Sequence, residues 1–157
     1  MCPHRDKWIV ARHEQVKRAI AQSLSAIPGA RVRLESFITN TQRRNDISVA
    51  GSRQPGMSSC EYDITVVSLA TRQARAVAPP PGTTGTPVEV ASATAQRFLA
   101  TIAREKRLNL PGGTTVAFTP LVFTVGGLME KDTAATTRIW KSLLPPNGLR
   151  AVTWPAA

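Results

Sequence analysis

The residues in this chain best suited to chemistry are its acids, because there are so few of them. Ten Asp and Glu stand against 20 Lys and Arg, so most acids are expected to be solvated partners of an arginine. Asp6, Glu89, Glu130 and Asp132 fall in expected loops or element ends, and Glu105 lies among Arg104, Lys106 and Arg107. All five read as surface ion pairs. Asp46 and Asp63 differ. Each is the first acid of an otherwise apolar strand-like run, Asp46-Ile47-Ser48-Val49-Ala50 and Tyr62-Asp63-Ile64-Thr65-Val66-Val67-Ser68-Leu69, where an unpaired charge is costly. The turn cluster Gly51-Ser52-Arg53-Gln54-Pro55-Gly56 between them predicts a hairpin that brings position 46 opposite roughly 61 to 63. Directly opposed side chains have Cβ atoms ~4.5–5.5 Å apart, a range in which two carboxylates repel. The pair therefore needs a divalent cation or an arginine such as Arg44. One alternative is a two-carboxylate Mg2+ (or Mn2+) site for phosphodiester chemistry. The other is two strand-end acids neutralised by arginine.

The elements that must position these residues follow from periodicity. Ile9, His13, Val16, Ile20, Leu24 and Ile27 recur every three or four residues and predict a helix over 8–27, stopped by Pro28-Gly29. His13 lies on this apolar stripe and reads as a buried structural histidine. The period then changes to two, with Val32, Leu34 and Ser36 marking a half-buried strand that carries Glu35 as its only acid. The Asp46 and Asp63 strands follow, the latter an inner strand by its β-rich composition. Residues 71–90, rich in Pro and Gly, are expected to form a long mobile loop. A helix over 91–108, a strand over 116–125 interrupted or entered at Pro120, and a helix over 133–144 complete the order. In the last helix Ala135, Ile139, Leu143 and Trp140 are expected to face inward. The order α-β-β-β-α-β-α predicts one α/β domain over 8–145, a three-layer-like sandwich with a mixed central sheet. It is flanked by tails at 1–7 and 146–157.

The 157 residues are 42% hydrophobic, enough for a core, and carry a formal charge of +10, with 15 arginines and five lysines. Such a charge points to a polyanion, above all nucleic acid. It is spread along the chain rather than gathered in a basic amphipathic helix, which argues against a membrane surface. No apolar run approaches the ~20 residues of a membrane span, and Met1 to Lys7 has no apolar h-region. Two cysteines, Cys2 and Cys60, make no disulfide framework, so a reducing intracellular compartment is expected. Aromatic residues at 5% argue against a base-stacking platform.

The string Arg43-Arg44-Asn45-Asp46-Ile47 followed by Asp63-Ile64-Thr65-Val66-Val67-Ser68 resembles the PD-(D/E)XK nuclease pattern. More narrowly, it resembles the restriction-endonuclease-like domain at the C-terminal end of site-specific non-LTR retrotransposon reverse transcriptase polyproteins. In that family the motif lysine has moved to the following helix, and Arg104-Glu105-Lys106-Arg107 looks like that segment. Phe118-Thr119-Pro120-Leu121-Val122-Phe123-Thr124-Val125-Gly126-Gly127 looks like the family's next strand, and Arg12-His13 resembles its basic-His pair on the first helix. The resemblance covers about residues 10–145 in order, with Asn45 in place of the usual proline and Thr65 at the motif-lysine position.

The resemblance implies a restriction-endonuclease-like core and a metal-dependent DNA endonuclease domain, with RNA–DNA intermediates as further partners and a nuclear location in a eukaryotic element. Asp46 and Asp63 would hold Mg2+ with the Ile64 carbonyl, and Lys106 would act on the attacking water. Arg43, Arg44 and Arg53 would flank the site and take phosphates. Glu35 would assist the metal through water or form a surface salt bridge, with Glu14 as its rival. Cys2 would be the last ligand of a zinc knuckle truncated here, or a free thiol. The alternatives are a catalytically inactive nuclease fold that only binds nucleic acid, as Thr65 suggests, and a basic structural or assembly protein.

Overall fold

Helix α1 (Pro3–Ser25) carries the apolar stripe read from the sequence, and Val16, Ile20 and Leu24 are buried along it. It starts at Pro3, so most of the expected N-terminal tail is the first turn of a helix. Gly29, in the left-handed region at φ 78°, turns the chain into β1 (Arg31–Leu34). The computed structural model describes residues 3–35, 44–54, 57–109 and 116–144, with side chains from Trp8 onward. Arg43, Cys2 and the C-terminal tail lie outside the described residues.

Strands β2 (Ile47–Ala50) and β3 (Ser59–Val67) form the expected hairpin, with β1 antiparallel on the outer edge of β2. At the turn Gly51 has φ 80°, and a Cβ there would lie 3.3 Å from the Gly29 carbonyl oxygen, so the two glycines let two turns pack together. Strand β4 (Ala117–Thr124) pairs parallel with β3, giving a mixed sheet in the order β1-β2-β3-β4. Pro120 does not interrupt β4. It sits within the strand, fully buried and aligned with Asp63, because β4 has an open edge on which a missing N–H breaks no ladder.

The expected loop at 71–90 contains a one-turn helix, α2 (Arg72–Arg75), and its last residues already belong to α3 (Pro87–Leu108). Thr86 caps α3 reciprocally with Glu89, and Pro87 sits at the first helical position. Thr86-Pro87-Val88-Glu89 is thus a start signal that the surrounding prolines obscured. A parallel β3–β4 pair needs a connection that crosses the sheet, and α3 makes it.

On helix α4 (Lys131–Leu143), Trp140 and Leu143 face inward as expected, whereas Ala135 and Ile139 do not. Trp140 is buried and meets Tyr62 edge-on at a ring-centroid distance of 5.1 Å, whereas Ile139 is 54% exposed. Adjacent residues lie about 100° apart around a helix, and the large indole takes the core position. Thr133, on the same side, accepts the Val122 backbone N–H at 2.9 Å.

One face of the sheet packs α1 and α4 around Ile47, Val49, Tyr62, Ile64 and Val66. The other packs Phe98, Leu99 and Ala103 of α3 against Val122 and Val67. The result is an α/β sandwich with a mixed sheet, as the sequence predicts. No helix among the described residues is long and apolar enough to cross a membrane.

Candidate active site

The β2–β3 ladder ends at Ile47 opposite Tyr62, which sets Asp46 across from Asp63. Past that point β2 leaves the sheet, and the backbone of Ile64 is freed on that side. Its N–H donates to Asp46 Oδ2 at 2.6 Å. Its carbonyl oxygen lies 3.1 Å from His13 Nε2, which is also 3.2 Å from Asp46 Oδ2. Both partners are acceptors, so Nε2 carries the proton. His13 is therefore not sealed in the core as the stripe suggested. It is a quarter exposed and lies where the sheet splits, because the apolar stripe of α1 runs past the paired part of β2.

Asp63 points to the opposite face, toward α3, and pairs with the Lys106 ammonium from the last turn of that helix. Burial pushes the Asp63 carboxyl above its ordinary range, Lys106 pulls it back, and the Asp46 carboxylate pushes it up further. Asp46 and Asp63 thus lie next to each other where β2 parts from β3, with the Ile64 N–H on the first and Lys106 of α3 on the second. Thr65 follows on the same strand face as Asp63, and among the described residues its hydroxyl is buried without a hydrogen-bond partner.

The donor set suits a hard divalent cation: two carboxylates and the Ile64 carbonyl, all oxygen. A raised Asp63 pKa is what an arriving positive charge would relieve. Among the described residues no three His, Cys, Asp or Glu side chains gather as a ready metal centre, so the remaining positions would belong to water. The His13 N–H lies between Asp46 Oδ2 and the Ile64 carbonyl, and would have to yield to a cation there.

Glu35 adjoins this site through its backbone, whose N–H donates to the Asp46 carbonyl oxygen at 3.0 Å. It has φ 52°, and its carboxylate pairs with Lys17 at 2.7 Å and Arg44 at 3.9 Å, the salt-bridge alternative of the two expected. Glu14 shares the same buried Lys17 at 2.6 Å. The hydrogen bond from Lys17 holds both carboxyls below their ordinary range. Burial lowers the Lys17 pKa, but the two acids outweigh it and hold it above its ordinary value.

Arg53 does not flank the site. It is exposed in the hairpin turn, past the far end of β2, whose four residues span ~13 Å. Adjacency in sequence misled, because a hairpin sends its turn away from its open end.

Sequence reasoning also passed over Glu61, which is buried and accepts a hydrogen bond from the Asn45 side-chain amide. Burial pushes its pKa up, against the Asn45 contact. The available signal was its spacing of two from Asp63 on one strand face.

Compared with protein-family models and with curated proteins, the chain matches none.

Proposed function

We propose that this chain is a divalent-metal-dependent DNA endonuclease domain of retroelement type, which nicks a phosphodiester at the cleft between Asp46 and Asp63. The observation that carries this reading is the convergence of Asp46, Asp63 and Lys106 from three separate elements, with an upward push on Asp63 that Lys106 offsets only in part. The motif resemblance over residues 10–145 supports the same reading and favours DNA. Asp46, Asp63 and the Ile64 carbonyl would hold Mg2+ or Mn2+, which supplies phosphate polarisation and an acidified water. Lys106 would orient that water through its N–H groups and steady the negative charge that grows on the phosphate. Exposed Arg44 would hold a neighbouring phosphate.

Supercoiled plasmid incubated with the chain should be nicked in Mg2+ or Mn2+ and left intact in EDTA. Binding without nicking in either metal would replace this reading with that of an inactive nuclease fold. That second reading is favoured by the His13 N–H, which fills the space between Asp46 and the Ile64 carbonyl.

A further inference from the structure

A cleft of about 400 Å3 opens between the N-terminal half of α1 and the end of β4. Trp8, Ile9, Arg12 and Gln15 form one wall, and Val125 and Gly126 the other. Trp8 is 77% exposed at the rim, and Val125 is also exposed. Arg12 is anchored across the cleft by donating from Nη2 to the Val125 carbonyl at 3.2 Å.

The position of the cleft identifies what it would meet. The Val125 N–H donates to the Val67 carbonyl at 2.8 Å, which places this wall at the end of β3, four residues beyond Asp63. Four strand residues span ~13 Å, about four steps of a duplex strand at ~3.4 Å each. On the other wall Arg12 adjoins His13 in α1. A nucleic-acid strand with its reacting phosphate at Asp63 therefore reaches the groove within a few nucleotides.

We propose that this groove holds one unpaired nucleobase of the bound strand, stacked on Trp8. The proposal rests on the nucleic-acid reading above and adds a preference to it. The groove has the parts that a base needs: apolar walls, an exposed indole for the ring face, and the Arg12 guanidinium and Gln15 amide for the polar edge. An aliphatic occupant such as a lipid chain would cover those two polar groups without pairing them, and the net charge of +10 selects a polyanion. One indole does not make a stacking platform, in keeping with the scarcity of aromatics, but it suffices for one base. A perfect duplex keeps its bases inside the helix and cannot use the site.

The test is binding in EDTA, where no cleavage occurs, of two labelled DNAs: a perfect duplex, and the same duplex with one unpaired nucleotide. The full chain should bind the second roughly ten-fold more tightly, within the range that stacking one base on an aromatic side chain supplies. Trp8→Ala should remove the preference and leave perfect-duplex affinity within about two-fold, since one rim residue contributes little to phosphate binding. Gly126→Leu should do the same by filling the groove. A Cβ at Gly126 meets no atom closer than 3.9 Å, so the fold accommodates it. Equal affinity for the two DNAs, or a preference that survives both variants, overturns the groove assignment alone. Failure to bind either DNA overturns the nucleic-acid reading beneath it.

Discussion

Replacing Lys106 with alanine should lower Mg2+-dependent nicking by ~10²–10³-fold, the typical cost of losing a contact made to charge developing in the transition state. Affinity for duplex DNA should stay within a few-fold, because one phosphate contact among many changes binding little. The expectation rests on the ion pair with Asp63, which holds the ammonium at that carboxylate. Lys17 of α1 is buried between Glu14 and Glu35 and is committed to them. Asp63→Asn should lose nicking as completely. Adding Thr65→Lys to the Lys106→Ala chain should recover part of the rate, because Thr65 shares the Asp63 strand face and its hydroxyl has no partner to lose. Rates are read from single-turnover conversion of supercoiled to open-circular plasmid. Unchanged nicking by Lys106→Ala would remove the lysine from the mechanism and leave an arginine such as Arg44 as the cation.

Duplex affinity should also fall steeply with salt. Each phosphate neutralised by a cationic side chain releases condensed counterions, and log affinity falls with log salt at a slope of about −0.9 per phosphate. With about five phosphates neutralised, affinity drops roughly 500-fold between 50 and 200 mM salt. The positive charge is mostly arginine, and Arg44, Arg53 and Arg104 are exposed on different elements. The response should therefore survive any single arginine substitution and change its slope by about one. Fluorescence anisotropy at two salt concentrations measures it. A flat response, or no binding in low salt, would contradict a nucleic-acid partner of any kind.

The part of the site that was legible in the sequence is the part that strand geometry dictates. A period of two and a turn cluster at 51–56 fix the hairpin register, and register alone sets Asp46 across from Asp63. Lys106 was not legible in that way. Its distance from Asp63 in sequence is 43 residues, and only the motif resemblance pointed to it. His13 was misjudged because helical spacing reports which side of a helix is apolar, not where the sheet beneath it ends. On helix α4, Ala135 and Ile139 face outward because several apolar residues compete for the inner face, and the competition is settled by packing of Trp140 against Tyr62. Pro120 looked like a break because proline forbids a central strand, and nothing local marks β4 as an edge.

The measurement that bears most directly on the cleft is a Mn2+ titration of the full chain, with free Mn2+ read by its paramagnetic resonance signal. Saturable binding by the wild type, lost in both Asp46→Asn and Asp63→Asn and displaced by excess Mg2+, is the expected result, because each carboxylate supplies one of the few donors there. Identical titration curves for the wild type and both variants would show that the two aspartates hold no shared cation, and would contradict a metal-dependent nuclease built on them.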